Sequence, residues 1–328
     1  MEVLVTGATG YIGRAVVQLL ADRGERIRVL VRPDSDTSSL EELPVELHVG
    51  DVTDRGSVVR AARGVEAVIH AAAWVSLYTR QLEDMRRVNV KGVENVASAA
   101  LEVAVRRVVH VSSLVAIGAT TDGTPVTEEF SQQIDPKAVP VPYLLTKREA
   151  EGVAFRFARM GMDVVVVNPT LVVGAPDPRG VDPGGILRFL QRKIPARIHG
   201  GANYVDLWDV AHGIVAALDR GRSGERYILG GENLTFREYY AMLEAISGVQ
   251  APRFRVPYRL AHAVAYGMEK LEQVSGRTMP LNQQLIRLAA WQWFADSSKA
   301  RLELQLPHTP LRDSMAQAIA YYRSRNMV

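Results

Sequence analysis

Apolar, largely β-branched runs alternate with helical patterns through the first half of the chain. The runs that predict strands are Val3–Val5, Ile27–Val31, Val45–Val49, Ala67–His70, Val108–Ser112 and Val164–Val167. Between them, apolar residues recur at helical spacing, and the longest such pattern extends from about Thr79 to Val103. Strands that alternate with helices imply right-handed crossovers. The pattern therefore predicts an α/β fold with a doubly wound parallel sheet that helices cover on both faces.

The pattern changes after residue 175. Ala175–Gly185 is rich in proline and glycine and predicts a loop. The helical patterns that follow are Ile186–Lys193, Trp208–Arg220, Phe236–Ser247, Arg259–Ser275 and Leu311–Arg325. We expect a first domain over residues 1–175 and a smaller, mostly helical substrate region over 176–328 that packs over the sheet edge. The boundary is soft, because later strands are free to return to the sheet.

A glycine-rich turn directly follows the first strand, with glycines at positions 7, 10 and 13. Gly7 would allow a tight turn, Gly10 would let backbone approach a pyrophosphate, and Gly13 would bring the first helix close to the sheet. Glycines also punctuate ordinary turns, but a triplet between a strand and a helix predicts a dinucleotide-binding Rossmann-type domain. The other cofactor-binding candidates in this turn are Thr9, Tyr11 and Ile12.

The residue that closes the second strand contacts the adenosine ribose in such folds. An acidic side chain there binds the 2′-hydroxyl and repels a 2′-phosphate. This chain has Val31 at that place, followed by Arg32, and Ser35 could add a hydrogen bond. Because a guanidinium pairs well with phosphate, we favour NADP(H) over NAD(H). The alternative is that Arg32 is a solvated arginine at a strand end.

Two further segments at strand ends are candidates for cofactor binding. Asp51 could accept a hydrogen bond from the adenine amino group while Val52 packs on the ring. An aspartate that caps a helix starting near Thr53 fits the sequence almost as well. His70 is expected to be a packed histidine without a chemical role. The small residues after strand four, on which a cofactor could lie flat, are Ala71, Ala72 and Ala73.

Tyr143 and Lys147 stand four residues apart and would share one face of a helix. A phenol with a pKa of about 10 is a poor proton donor at neutral pH. A nearby ammonium, together with a positive nicotinamide ring, should lower that pKa, and the lysine can also bind the ribose hydroxyls. This spacing usually marks a surface pair, but here it lies between strands five and six of a dinucleotide fold.

Ser112 and Ser113 close strand five, where a hydroxyl projects into the ligand crevice of such a sheet. Ser113 can donate to a substrate carbonyl oxygen alongside Tyr143 and stabilise the negative charge that develops there. Ser112 would point to the opposite face and be structural. The alternative is that both serines cap the next turn.

Composition narrows the partners and the compartment. The 328 residues include 47% apolar residues, a net charge of +3 and no run in which basic and aromatic residues interleave, which argues against nucleic acid. The absence of cysteine excludes disulfides and thiolate metal sites, and we predict no metal. Met1 leads directly into the first strand, and the longest strongly apolar run, Val164–Pro176, is too short to span a bilayer. We expect a cytoplasmic protein without stable membrane insertion.

With the turn Thr6–Gly13, Ser113 and the pair Tyr143 and Lys147 in this order, the chain resembles an extended short-chain dehydrogenase/reductase of the NAD-dependent epimerase/dehydratase family. Within that family, Val31–Pro33 and Asn168–Gly174 are similar to dihydroflavonol-4-reductase-like enzymes. Glu225–Thr235 resembles the bacterial branch of hopanoid-associated sugar epimerases.

The resemblance implies a catalytic triad of Ser113, Tyr143 and Lys147. It also implies that Asn89 supports the lysine through water, and that a homodimer forms through the helices near 79–103 and 141–160. The residues that it places beside the nicotinamide are Pro169, Thr170 and Leu171.

Departures from the family pattern bear on the reaction. Sugar-nucleotide 4,6-dehydratases carry an Asp-Glu pair where this chain has Leu114 and Val115, so an acid-base pair for dehydration is missing. Gly200–Asp209 lacks the arginine with which sugar-nucleotide epimerases bind diphosphate. An apolar pocket could instead form from Trp74, Tyr78, Leu171 and Trp208. Phosphate ligands could still come from Arg188, Arg192, Lys193 and Arg197, although their helical spacing first indicates a solvated basic face.

These features predict an NADP(H)-dependent oxidoreductase that reduces a ketone or aldehyde on an apolar or aromatic substrate. Tyr143 would give the proton, Lys147 would tune it, and Ser113 would polarise the oxygen. The main alternative is an NAD(H)-dependent sugar or sugar-nucleotide epimerase that uses the same triad. A second alternative is a cofactor-sensing protein without catalysis, although such proteins often lack the tyrosine or the lysine.

Overall fold

A seven-stranded parallel sheet forms the centre of the computed structural model, which describes residues 1–76, 81–130, 141–178, 180–275 and 283–328. Its strands are β1 (Glu2–Thr6), β2 (Arg26–Val31), β3 (Val45–Val49), β4 (Ala67–His70), β5 (Arg107–Val111), β6 (Val164–Pro169) and β9 (Arg226–Leu229). The strand order is β3-β2-β1-β4-β5-β6-β9, so the chain reverses direction across the sheet between β1 and β4. Ligands bind at such a switch point, outside the carboxyl ends of the strands.

Helices cover both faces of this sheet, as the alternating pattern predicts. The described helices are α1 (Tyr11–Asp22), α2 (Arg55–Ala62), α3 (Leu82–Arg86), α4 (Gly92–Glu102), α5 (Leu114–Ile117), α6 (Pro142–Arg159), α7 (Ile186–Leu190), α8 (Leu207–Arg220), α9 (Phe236–Ser247), α10 (Tyr258–Ser275), α11 (Gln283–Ala289), α12 (Ser298–Glu303) and α13 (Leu311–Ser324). On one face α1 and α8 pack on Val5, Val109 and Val167. On the other, α2, α4 and α6 pack on Leu4 and Val68. The predicted Rossmann-type fold is confirmed.

A second, smaller sheet lies in the C-terminal region, where the sequence predicts mainly helices. Its strands are β7 (Leu171–Val173), β8 (Gly201–Asp206), β10 (Glu232–Thr235) and β11 (Gln292–Trp293). The pattern misses β7 because it continues the apolar run of β6, and it misses β10 and β11 because they are short and polar. β8 is entirely buried although it contains Gly201, Asn203 and Asp206. A strand buried on both faces shows no alternation of polar and apolar residues.

The predicted helices after residue 175 are present, with small differences at their ends. α7 stops at Leu190, and Arg192 has a positive φ of 56°, so the helical pattern to Lys193 is too long. β9 also returns to the main sheet and pairs with β6. Division of the chain at residue 175 remains a proposal. Among the helices that the structure describes, none is long and apolar enough to cross a membrane.

Candidate active site

The three glycines of the turn after β1 differ in what surrounds them. A Cβ atom on Gly7, whose φ is 77°, would lie 2.6 Å from the backbone of Ala71 and Ala72. A Cβ atom on Gly13 would lie 2.1 Å from the Gly7 carbonyl oxygen. On Gly10 it would meet only that oxygen, at 3.2 Å. Packing of the protein itself therefore requires Gly7 and Gly13, whereas the side of Gly10 leaves room for a ligand.

The N-terminus of α1 is suited to hold a phosphate. Within the described part of the chain, no side chain caps Gly10, and the first turn of α1 contains no acidic residue. The first amide groups and the helix dipole are therefore available to an anion. The hydroxyl of Tyr11 donates to the Gly174 carbonyl oxygen at 2.8 Å, so its side chain fixes the loop after β7. Thr9 and Ile12 are half-buried in the same turn.

Arg32 projects from the end of β2 into solvent. Its side chain is 62% exposed, and its Nε atom lies 3.5 Å from Oδ1 of Asp34. The Ser35 amide donates to the Arg32 carbonyl oxygen, which closes a turn directly after the strand. A loose pair between two exposed side chains contributes little stability. The guanidinium is thus free to reorient toward a phosphate, and it also fits the solvated alternative.

The segment after β3 combines a turn and a helix cap. Oδ1 of Asp51 accepts from the Thr53 amide at 2.7 Å, whereas Asp54 caps α2 by accepting from the amides of Gly56 and Ser57. The residue that caps this helix is therefore Asp54 rather than Asp51. The side chain of Val52 is only 8% exposed and packs toward Gly92. The chain after β4 is half-buried at Ala71 and Ala72 and exposed at Ala73.

The first turns of α6 carry Tyr143 and Lys147 on one helical face, with Glu151 a further turn along. Burial raises the pKa of Tyr143, and a hydrogen-bonding interaction with the Ser113 hydroxyl opposes that rise. In the protein by itself the pKa of this phenol is therefore raised, and the lowering expected from the lysine together with a bound nicotinamide ring remains a prediction. Ser113 Oγ also accepts from the Val115 amide at 3.4 Å, so the serine caps α5 as well.

Lys147 is a buried lysine at the carboxyl edge of the sheet. It is 4% exposed, and its Nζ atom donates to the Val111 carbonyl oxygen at 3.0 Å. Burial lowers its pKa to about 8, against the opposing charge of Glu151. An ammonium has three donors, so two remain for other acceptors such as ribose hydroxyls.

Glu151 connects α6 to three strands. One carboxylate oxygen accepts from Ser112 Oγ at 2.6 Å and from Asn168 Nδ2 at 2.8 Å, and the other lies 3.1 Å from Arg226 Nη1. The Ser112 hydroxyl is therefore engaged within the protein, and the predicted orientation of Ser112 away from Ser113 remains a prediction. Glu151 is not among the predicted site residues, although its position four residues after Lys147 on the same helical face is a usable signal.

Two stacked histidines extend this buried polar layer. The rings of His70 and His110 are 5.6 Å apart, and Nδ1 of His70 is 2.7 Å from Thr6 Oγ1. His70 Nε2 and both ring nitrogens of His110 have no hydrogen-bond partner within the described ranges. Burial lowers the pKa of His70 to about 3 and that of His110 in the same direction, and Lys147 adds to both effects. His70 is the packed histidine that the sequence predicts.

Asn89 joins two elements beside this layer. It lies in a π-helical turn, Arg87–Lys91, between α3 and α4. Its Oδ1 accepts from the Trp74 amide at 2.7 Å, and its Nδ2 donates to the Trp74 carbonyl at 2.9 Å and to Thr146 Oγ1 at 3.0 Å. Its direct partners are thus Trp74 and Thr146, and water-mediated support of Lys147 remains a prediction. π-helical turns are often found at functional sites.

The segment beyond β6 lies at the same sheet edge. Pro169 ends β6, Thr170 donates its amide to the Leu229 carbonyl oxygen, and Leu171 begins β7. The side chain of Trp208 donates to the Ala175 carbonyl oxygen at 3.0 Å. The apolar pocket that was predicted to include this tryptophan remains a prediction. One of its members, Tyr78, lies outside the described residues.

Comparisons with known proteins bear on the family and the fold of the chain. Residues 3–230 match the model of the NAD dependent epimerase/dehydratase family. A Synechocystis sp. protein, provisionally assigned as a dihydroflavonol 4-reductase, is 34% identical over 99% of this chain and 95% of its own length. Sterol demethylase protein B of Methylococcus capsulatus is 36% identical over 100% of both chains. The crystal structure of gox2253 superposes with a TM-score of 0.87 at 36% identity and covers 100% of this chain and 99% of that one.

These matches confirm the resemblance to extended short-chain dehydrogenases/reductases, a family whose members bind a nicotinamide dinucleotide. Reductases, epimerases and dehydratases all occur among them. The fold, the glycine turn and the family match agree. This chain therefore belongs to the NAD dependent epimerase/dehydratase family.

Proposed function

We propose that the protein is an NADP(H)-dependent oxidoreductase that interconverts a ketone or aldehyde with its alcohol. The observation that carries the proposal is the arrangement of three side chains at the carboxyl edge of the sheet. The Ser113 hydroxyl is near enough to oppose the rise in the pKa of Tyr143, and Lys147 is buried one helical turn from the tyrosine. Two hydroxyl donors beside a buried ammonium suit a substrate oxygen that gains negative charge.

Each residue has a distinct task in this proposal. Bound nicotinamide dinucleotide supplies or accepts the hydride. The Tyr143 hydroxyl gives its proton to the substrate oxygen, and Ser113 donates a hydrogen bond to the same oxygen. The ammonium of Lys147 favours the phenolate that remains, while Val111 holds it in position through its carbonyl oxygen. The phenolate then takes up a proton from solvent before the next turnover.

The two residues after Ser113 favour reduction over dehydration. Leu114 is buried in the core and Val115 is half-buried, so this turn lacks the carboxylate and carboxylic acid that elimination of water requires. The name of the Synechocystis relative points in the same direction. We propose an apolar or aromatic substrate on this basis, with residues 176–328 supplying most of its contacts.

Replacement of Tyr143 by phenylalanine tests the proposed proton donor. We expect kcat for NADPH-dependent carbonyl reduction to fall by roughly 10²- to 10⁴-fold, because phenylalanine removes the proton without removing the ring. Tyr321→Phe, a half-buried tyrosine on α13, is the matched control and should retain activity. Full turnover by Tyr143→Phe, or no NADPH oxidation across a broad panel of carbonyl compounds, would overturn the proposal.

Replacement of Arg32 by alanine tests the cofactor assignment. Loss of a charge-assisted bond should weaken NADPH binding about 10- to 100-fold and leave NADH binding unchanged. Asp34→Ala removes the neighbouring carboxylate and should not weaken NADPH binding. Equal affinities of wild type and Arg32→Ala for NADPH, measured by calorimetry, would show that Arg32 is the solvated arginine of the alternative.

An NAD(H)-dependent epimerase is the second candidate, and the family match favours it because that family is named for epimerases. The same triad would then act without net consumption of cofactor. Cofactor that stays bound through purification and is NAD(H) would favour the epimerase. Cofactor that exchanges freely and is consumed as NADPH would favour the reductase.

A further inference from the structure

The helix α10 has its large and small apolar residues on unexpected sides. Ala261 and Ala265 face inward and are 5% and 0% exposed. Leu260, Val264 and Leu271 face outward and are 56%, 43% and 54% exposed. A surface helix ordinarily buries its large apolar residues and exposes polar ones. On α10, the side that faces the protein is the side with less apolar surface.

Three of the exposed apolar residues lie on one stripe of the helix. Positions 260, 264, 267 and 271 follow the spacing of a single helical stripe, in which residue 267 is a glycine. Phe254, in the segment that leads into the helix, is 78% exposed and adds an aromatic ring. We call Phe254, Leu260, Val264 and Leu271 the α10 face. Contiguous exposed apolar surface of this kind marks an interaction site.

Basic residues without partners border the α10 face. Arg253, Arg255 and Arg259 are exposed, and none has a carboxylate partner in the part of the chain that the structure describes. The nearest acidic residue on the helix, Glu269, accepts from the amide and the side chain of Gln283. Glu269 keeps its negative charge in these bonds with a neutral side chain, so the excess of positive charge lies at the N-terminal end of the α10 face, around Arg253, Arg255 and Arg259.

An adjoining cavity of about 580 Å³ extends this charge. Arg255 lines it together with Arg197 and Arg237, whose guanidinium groups also have no acidic partner within the described ranges. Its one carboxylate, Glu238, is engaged in the capping box of α9 with Thr235. Ile198, which also lines the cavity, packs on the small cluster beneath α10. Arg255 also directly follows Phe254 in the chain, so the cavity lies beside the segment that leads into α10.

We propose that this surface binds an anionic membrane, with the α10 face at the level of the headgroups and upper acyl chains and the arginines on lipid phosphates. A helix that combines an apolar stripe with basic residues at its border is typical of interfacial binding. The arginines that have no acidic partner within the described ranges favour anionic lipid as the occupant, and a second copy of the chain is an outcome of the test below. The proposal does not depend on the proposed reaction.

Sedimentation with vesicles tests the proposal. We expect the protein to bind phosphatidylcholine vesicles that contain about one third phosphatidylglycerol, to bind pure phosphatidylcholine far less, and to dissociate in about 0.5 M salt. The variant Leu260→Gln/Val264→Gln should bind at least about tenfold less, since both side chains would lose their apolar contact. Leu302→Gln on α12, where the leucine is 82% exposed, is the matched control and should bind as wild type does.

Three outcomes would overturn the inference. One is that the wild-type protein does not sediment with the anionic vesicles. Another is that the double variant, with an unchanged melting temperature, binds them as tightly as wild type. The third is that wild type is a dimer that Leu260→Gln/Val264→Gln converts to a monomer in analytical ultracentrifugation, because a second copy would then cover the α10 face.

Discussion

The two long helices α6 and α10 have 18 residues each but treat polar and apolar side chains in opposite ways. α6 buries Lys147 and Glu151 and satisfies them with Val111, Ser112 and other groups of the main sheet. α10 turns Leu260 and Val264 outward, and nothing in the described part of the chain covers them. Each helix departs from ordinary amphipathicity, and each departure is a functional indication.

The difference shows how to distinguish a site inside the protein from a surface that needs an external partner. A buried charge that costs several kcal/mol to desolvate persists only with close partners, and α6 provides such partners around its lysine. An exposed leucine costs little by itself, so only a continuous group of them is informative. Substitutions on each helix, and changes of pH, test whether the two helices differ in this way.

The largest expected difference concerns the third residue of each helix, which is a leucine in both. Leu144 is fully buried, whereas Leu260 is 56% exposed. Leu144→Ala should lower the free energy of unfolding by about 2–5 kcal/mol, because it leaves a cavity in a packed core. Leu260→Ala should change it by less than about 0.5 kcal/mol. Denaturation with urea measures both, and a similar loss for the two variants would contradict the contrast.

Acid should destabilise the side of the sheet that α6 covers. Burial lowers the pKa of His70 from about 6.5 to about 3, so the unfolded chain takes up its proton first as the pH falls. The contribution of neutral His70 to the free energy of unfolding is therefore fully present above pH 6.5 and is lost progressively toward pH 3. At pH 5 the loss from His70 is about 2 kcal/mol, and His110 adds to it in the same direction.

Thermal denaturation between pH 7 and 5 measures this acid effect. His110→Phe removes two ring nitrogens that have no partner among the described residues and should reduce the loss of melting temperature in acid. His308→Gln, at an exposed position, is the control and should leave the pH dependence unchanged. A pH dependence that is identical in wild type and His110→Phe would show that His110 does not contribute to the loss of stability in acid.

The smallest expected effect is a shift in the pH profile of activity. Glu151 raises the pKa of Lys147, which burial holds at about 8. Glu151→Gln removes that charge and should lower the lysine pKa further, so activity that needs the ammonium should be lost at a lower pH than in wild type. Glu149→Gln, at an exposed residue of the same helix that pairs with Arg86, is the matched control.

Two measurements separate a positioning role of Glu151 from a merely structural one: the pH profile of Glu151→Gln and the activity of Glu151→Asp. A positioning residue predicts a displaced alkaline limb of kcat against pH and partial rescue by Glu151→Asp. If Glu151 is merely structural, the variant should be less stable but keep the wild-type profile of kcat against pH. The loss of stability does not distinguish the two roles, because Arg226 loses its carboxylate partner in both. An unchanged profile in a folded variant would therefore remove Glu151 from the proposed machinery.

The fold was largely predictable because parallel strands are long apolar runs and the glycine turn is a local feature. β9 was harder to predict, since its four residues become a strand only through pairing with β6, which lies far away in sequence. The candidates Ser113, Tyr143 and Lys147 could be found from order and spacing. The direction of the Tyr143 pKa could not, because it depends on how completely the surrounding chain excludes water.

The sequence by itself determined the parallel sheet, the glycine turn and the order of the candidate catalytic residues. These features depend on local spacing and on the alternation of strands and helices, which a single chain displays directly. Only the tertiary structure decided that Glu151 lies against Ser112, Asn168 and Arg226, and that α10 exposes its leucines. The physical reason is that burial and hydrogen bonding depend on neighbours that are distant in sequence, and a helical pattern does not specify which of its faces the rest of the protein covers.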